Sequence, residues 1–220
     1  MFVTAMVASA LMAGPMMDKW EIKPNLAPKT KSSWVVGVDA QTPDGDHRAE
    51  FTLVREMGEK DGEARKVSMG WHHLLVDGAE MPDEILWPVT VDTRGAVVGT
   101  TAEEGDDIRR MLSALTFAYP DKAVGDGDKW SVEVRPSKGK DDLMLTYAYE
   151  VKGMEAVDKV DALKVFLTLE EKGTDGMRGE GIWWVAKDGT ILQFEMKMKN
   201  WVVPMAGGQP FDAFIKGKKS

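Results

Sequence analysis

The 220-residue chain contains no cysteine. This absence excludes disulfides, thiolate catalysis and cysteine-ligated zinc. Basic residues are fewer than acidic ones: the chain has 28 Lys and Arg and 36 Asp and Glu, which gives a formal net charge of −8. An acidic surface repels phosphate backbones and anionic lipid headgroups. We therefore expect no nucleic-acid partner.

Long apolar runs are also missing. After the N-terminal segment, no run approaches the roughly eighteen apolar residues that a spanning helix needs, so we expect no membrane span in the mature chain. The first fourteen residues, MFVTAMVASALMAG, are apolar and uncharged, and Ala8-Ser9-Ala10 matches the small-x-small pattern of a cleavage site. We interpret 1–14 as a signal peptide that exports the protein to the periplasm or the extracellular space. A buried N-terminal helix is the alternative. Residues 17–215 are predicted to form a single β-rich domain.

Catalytic and metal-binding motifs are absent from the sequence. There is no G-x-S-x-G elbow, Walker loop or dinucleotide fingerprint. His72 and His73 are adjacent in a strand-like run, so they point to opposite faces, and His47 is the only other histidine. Acidic pairs such as Glu103-Glu104 lie in turns or at a helix start, where carboxylates are normally solvated. We predict no enzyme activity, no metal site and no cofactor.

Turn signals are abundant. Asp-Gly occurs at 44–45, 61–62, 77–78, 126–127, 175–176 and 188–189. Both residues tolerate the positive φ of tight hairpins, and the runs between them alternate apolar and polar residues, so we predict a β-meander. We interpret VGDGDKWSVEV, residues 124–134, as a turn that leads into a strand. A phosphate loop would lead into a helix, and an EF-hand calcium loop would end in glutamate.

The predicted strands are long. In TILQFEMKMKNWVV, residues 190–203, one face carries Leu192, Phe194, Met196 and Met198. Long antiparallel strands twist and coil, so we predict a mainly β (α+β) fold with an antiparallel curved sheet or half-barrel. Apolar residues at spacings of three and four in TAEEGDDIRRMLSALTFAYP predict one capping helix near 102–118, across the open mouth of the sheet. A further break between strands is predicted at 152–159.

The order of these features supports a family resemblance. VTVDTRGAVV, FAYP, VGDGDKW and GEGIWWVAKDGTILQFE follow one another along the chain. This order resembles bacterial exported domains of unknown function, which are similar to the half-barrel periplasmic lipoprotein carriers, the LolA-like proteins. The resemblance implies a curved sheet, capped by helices, that holds acyl chains. It transfers no catalytic residue.

Two functions follow from these expectations. The first is a non-enzymatic exported cell-envelope protein that binds a hydrophobic ligand, such as a lipid or an acyl chain, in the concave face of the sheet. The candidate lining residues are Trp71, Met111, Leu115, Trp130, Phe194, Met196 and Met198. All seven are equally explicable as core. The alternative is a structural or protein-interaction scaffold with a filled core, which contacts another envelope protein through sheet edges or through exposed Trp184 and Trp201.

Overall fold

The computed structural model describes residues 18–81, 84–101, 105–134, 144–173, 175–204 and 208–220. The predicted signal peptide lies outside these residues. Within them the chain forms twelve strands and one helix. The strands are β1 (Lys31–Thr42), β2 (Gly45–Asp61), β3 (Ala64–Val76), β4 (Ala79–Glu80), β5 (Ile85–Val91), β6 (Val97–Thr100), β7 (Lys129–Val134), β8 (Leu145–Val157), β9 (Val160–Glu171), β10 (Arg178–Ala186), β11 (Ile191–Val202) and β12 (Pro210–Lys219), and the helix is α1 (Gly105–Ser113).

All strands belong to one antiparallel sheet. Its order is β6-β5-β3-β2-β1-β12-β11-β10-β9-β8-β7, with the short β4 paired to β3. Each half of the sheet is a meander of neighbouring strands, and the two halves join where β1 pairs with β12, from Trp34 opposite Lys219 to Gln41 opposite Asp212. The sheet curls into a nearly closed barrel with β6 and β7 at its edges. The structure confirms the predicted mainly β fold with one helix.

Most of the predicted Asp-Gly corners are turns. Four of them lie at the ends of hairpin strands: Asp44-Gly45, Asp61-Gly62, Asp77-Gly78 and Asp188-Gly189. Asp77 and Gly78 both have positive φ, 49° and 80°, as a two-residue hairpin turn requires. Before β7, the Asp128 amide donates to the Gly125 carbonyl (3.0 Å), and the Gly125 amide donates to the Asp128 carboxylate (2.8 Å). The stretch at 124–134 is therefore a turn that leads into a strand.

The break predicted at 152–159 is wrong for most of its length. Strand β8 continues to Val157. A register shift between Val151 and Met154 forms a bulge, and Gly153 adopts a φ of 104° there. The bulge accommodates the Lys-Gly-Met sequence without ending the strand, since one extra residue can be inserted into an antiparallel pair. The turn itself is Asp158-Lys159, in which neither residue is glycine but both have positive φ.

Helix α1 ends at Ser113, before the predicted limit of 118. The hydroxyls of Ser113 and Thr116 donate to the carbonyls of Arg109 and Leu112 (2.6 and 2.7 Å). The Leu115 amide donates to the Leu112 carbonyl (3.0 Å), three residues back, so the chain leaves the helix through a tighter, 3₁₀-like turn. The chain then runs on to residue 119 without regular structure, and residues 114–119 are all buried. Residues 105–119 are called the covering segment below.

The core lies between the concave face of the sheet and the covering segment. Alternate residues of most of the long strands are buried, as Phe51, Leu53 and Met57 are in β2. The apolar side chains of the sheet and of the covering segment form a single cluster. Strands approach closely within it, because a Cβ at Gly70 would collide with the Ile85 carbonyl.

Candidate ligand site inside the sheet

Phe117 places the covering segment inside the curve of the sheet. Its ring is fully buried and contacts the rings of Trp130, Tyr149 and Trp183, with centroids 6.0, 5.0 and 5.6 Å away. These three residues belong to β7, β8 and β10, respectively. Helix α1, in turn, packs against β6 and β11. The covering segment therefore contacts strands near both edges of the sheet.

Hydrogen bonds from aromatic side chains hold the backbone of the covering segment. The Ala118 amide donates to the Tyr149 hydroxyl (2.9 Å), and the Ala118 carbonyl accepts from Trp130 Nε1 (3.0 Å). The Met111 carbonyl accepts from Trp201 Nε1 (3.3 Å). Buried backbone groups outside regular structure require such partners. The segment is thus anchored to the sheet at several points.

An ion pair adds a further anchor. Arg110 of α1 donates through Nε and Nη2 to one carboxylate oxygen of Glu171 (3.0 and 2.7 Å). The same oxygen accepts from the Met177 amide (2.9 Å), and the Glu171 side chain is almost fully buried. Burial alone would lower the pKa of Arg110. Its hydrogen bonds and charge interactions with Glu171 and Asp107 outweigh this effect, so the pKa lies above its ordinary value. This arginine therefore has a counter-ion.

The seven residues predicted to line a ligand site all belong to this interior. Six are buried members of the core cluster, and Trp130 packs against it: Trp71, Met111, Leu115, Trp130, Phe194, Met196 and Met198. Met196 also accepts a hydrogen bond from Trp183 Nε1 at 3.3 Å. Their contact with a ligand stays a prediction. The expected exposure of Trp184 and Trp201 is wrong, because they are only 7% and 2% exposed.

A small inner cavity remains beside the covering segment. Its volume is about 10 Å³. Its lining consists of Trp34, Leu53, Arg55, Met69, Leu115, Phe117, Trp183, Ile191 and Phe194. This space corresponds to about one water molecule. Two of the predicted residues, Leu115 and Phe194, line it, and the other five belong to the core cluster or pack against it.

Arg55 is the residue that the sequence analysis missed. It occupies an inward position of β2, between the buried Leu53 and Met57, and is 9% exposed. It is the only charged residue among the described residues that line the inner cavity. Within the described part of the chain, its Nε and Nη2 have no hydrogen-bond partner. The signal was present in the sequence, because the alternation of Ala49, Phe51 and Leu53 points to position 55 as the next inward residue.

The inner cavity is electrostatically unbalanced. Burial lowers the pKa of Arg55, and the nearby Tyr119 opposes this only in part. Burial also raises the pKa of Tyr119 to about 12, and its hydroxyl donates to the Gly189 carbonyl (2.6 Å). Tyr119 is therefore neutral at pH 7 and supplies no counter-charge. Since a guanidinium stays protonated in proteins, the cavity holds a positive charge that no anionic side chain of the described residues pairs.

No family model and no curated protein matches the chain. Among solved structures, the fold is similar to a predicted exported protein with a YmcC-like fold from Bacteroides fragilis. The two share 11% sequence identity with a TM-score of 0.37, and the match covers 92% of this chain and 100% of the other. At this level of similarity the match supports no conclusion about function.

The other surface features of the described residues are weaker candidates for a ligand site than the inner cavity. An open depression of about 400 Å³ lies over β2, β3 and β5, and its lining mixes charges of both signs, including Lys29, Glu56, Glu59 and Lys66. No group of three or more His, Asp or Glu in the described ranges could hold a metal ion. No helix within those ranges has both the length and the apolar character needed to cross a bilayer.

Proposed function

We propose that this is a non-enzymatic, exported cell-envelope protein that binds the apolar chain of a small amphiphile between the covering segment and the concave face. Export is supported by the signal-like residues 1–14. One observation carries the ligand-binding proposal. Leu115 and Phe117 line the inner cavity and belong to a segment outside the sheet, so displacing them would break no strand pairing. Eight of the nine lining residues are apolar, which suits an acyl chain.

The cost of displacing Leu115 and Phe117 from the small inner cavity sets the shortest acyl chain that can bind. About 10 Å³ holds no acyl chain, so Leu115 and Phe117 must be displaced. Exposing two large apolar side chains costs about 3–6 kcal/mol, whereas each buried methylene contributes about 0.8 kcal/mol. About four to eight methylenes are needed to offset the displacement, and lost translational freedom adds to the requirement. We expect ligands with chains of about eight carbons or more.

Tryptophan fluorescence tests the proposal directly, because Trp34 and Trp183 line the inner cavity. Titration with saturated fatty acids should give no response for butanoate and a saturable response for decanoate and dodecanoate. Leu115→Ala enlarges the cavity and should tighten decanoate binding. Leu163→Ala removes the same atoms from a buried position on β9 that does not line the cavity, and it should leave affinity unchanged. A flat response at every chain length would refute the proposal.

The second candidate is a scaffold or interaction module with a filled core and no ligand, which contacts another envelope protein. It is favoured by the small cavity volume and by the hydrogen bonds that anchor the covering segment. Hydrogen exchange separates the two candidates. A ligand-binding protein must open locally, so amides of residues 105–119 should exchange faster than those of β1 and β12 and slow down with decanoate. A scaffold should protect both sets equally, and native mass spectrometry should find it free of lipid.

A further inference from the structure

We propose that Arg55 is a recognition site for a monocarboxylate, so that the ligand is a carboxylic acid with an apolar chain. This proposal rests on the ligand-binding function proposed above. Arg55 is nine-tenths buried and lines the inner cavity, and two of its guanidinium nitrogens have no hydrogen-bond partner among the residues that the structure describes. A buried charge without a partner is costly, and an anionic group entering the cavity would remove that cost.

The geometry of the guanidinium identifies the class of anion. Nε and Nη2 lie on one edge of the group, and the same edge binds a carboxylate oxygen elsewhere in this protein. Arg48 donates through these two atoms to Glu50 (3.1 and 2.8 Å), and Arg110 does so to Glu171 (3.0 and 2.7 Å). On Arg55 this edge is free within the described residues. A carboxylate matches its planar fork.

Charge balance further limits the head groups that the ligand can carry. The described lining of the inner cavity offers a single positive charge and eight apolar side chains. A monocarboxylate would neutralise that charge. A phosphate dianion would leave a net negative charge among apolar groups, and a neutral alcohol would leave the guanidinium uncompensated. The eight apolar side chains favour a carboxylate that carries a hydrocarbon chain over a free small anion.

The test compares decanoate with 1-decanol, which differ only in the head group, at pH 7.4. The folded wild-type protein should bind decanoate about tenfold to a hundredfold more tightly than decanol, because only the carboxylate gives hydrogen bonds in which both donor and acceptor are charged. Arg55→Met should remove this preference and keep decanol binding. Arg48→Met removes an exposed arginine from the same strand and should keep the preference. Arg55→Lys keeps the charge but loses the two-nitrogen edge, so it should give an intermediate ratio, and it tests the head-group preference without removing the positive charge.

The outcomes separate the two proposals. Equal binding of acid and alcohol by the wild-type protein overturns the role of Arg55 but leaves chain binding intact. Binding of neither compound overturns both. Acetate provides a further comparison: if acetate competes with decanoate at similar concentrations, the site recognises a free small anion, and the assignment of a chain-bearing acid is overturned.

Discussion

Replacing Arg55 with methionine should make the ligand-free protein more stable. The guanidinium is 9% exposed, lacks a counter-ion in the described structure and has a pKa that burial lowers. Methionine is unbranched and apolar, and it can fill the same space beside Leu53 and Met69. Replacing buried charged groups with well-packed apolar ones stabilises proteins by about 1–4 kcal/mol in favourable cases. For a chain of this length, about 1 kcal/mol corresponds to about 2–4 °C in Tm.

Urea denaturation and calorimetry on ligand-free protein measure this effect. The control is Arg48→Met, because Arg48 is on the same strand with a side chain that is 68% exposed and an ion pair to Glu50. Surface pairs contribute about 0–1 kcal/mol, so the control should change little. If Arg55→Met is instead less stable than the control variant, the buried charge is already compensated in solution, and the physical basis for a ligand at Arg55 is lost.

Three further predictions concern the fold. Tyr149→Phe leaves a buried amide of the covering segment unpaired, so urea denaturation should show a loss of about 1–3 kcal/mol, with faster hydrogen exchange at 105–119. Gly70→Ala should destabilise by at least about 2 kcal/mol through overpacking, whereas Gly37→Ala, with open space around its Cβ, should change stability by less than about 1 kcal/mol. A hydrogen bond to Asp77 raises the pKa of His47, so its NMR titration midpoint should lie above 6.5 and return towards that value in Asp77→Asn. Stability from this pair is complete below pH 6.5 and is lost as the pH rises through the folded-state pKa.

The strands were predictable because burial follows a local pattern. The alternation of Trp34, Val36 and Val38 gives β1 directly, since side chains of a strand point to opposite faces. The same rule, continued from Leu53, would have placed Arg55 inside. That inference was missed because an arginine is read as a surface residue, although alternation takes no account of charge.

Other features depend on tertiary contacts that no local pattern records. The apolar spacing of the helix continues through Leu115 and Tyr119, although residues 114–119 are not helical. Their burial comes from rings on distant strands, such as Trp130 and Trp183. The exposure expected for Trp184 failed for a similar reason. Lys164 of the neighbouring strand lies over its ring (5.7 Å from the centroid) and shields it from solvent. The volume left inside the sheet likewise depends on how all these side chains interdigitate.

The pairing of β1 with β12 has a consequence for folding. The half of the sheet built from β1–β6 and the half built from β7–β12 can each grow from local hairpins, and among the described strands the two halves pair only at this seam. The seam joins residues near 34 to residues near 219, so closing it carries a large loop entropy. Until β12 has been synthesised and has paired with them, β1 and β11 each present an open edge. We therefore expect a nascent chain to be most prone to edge-to-edge aggregation before the ten-residue β12 has docked.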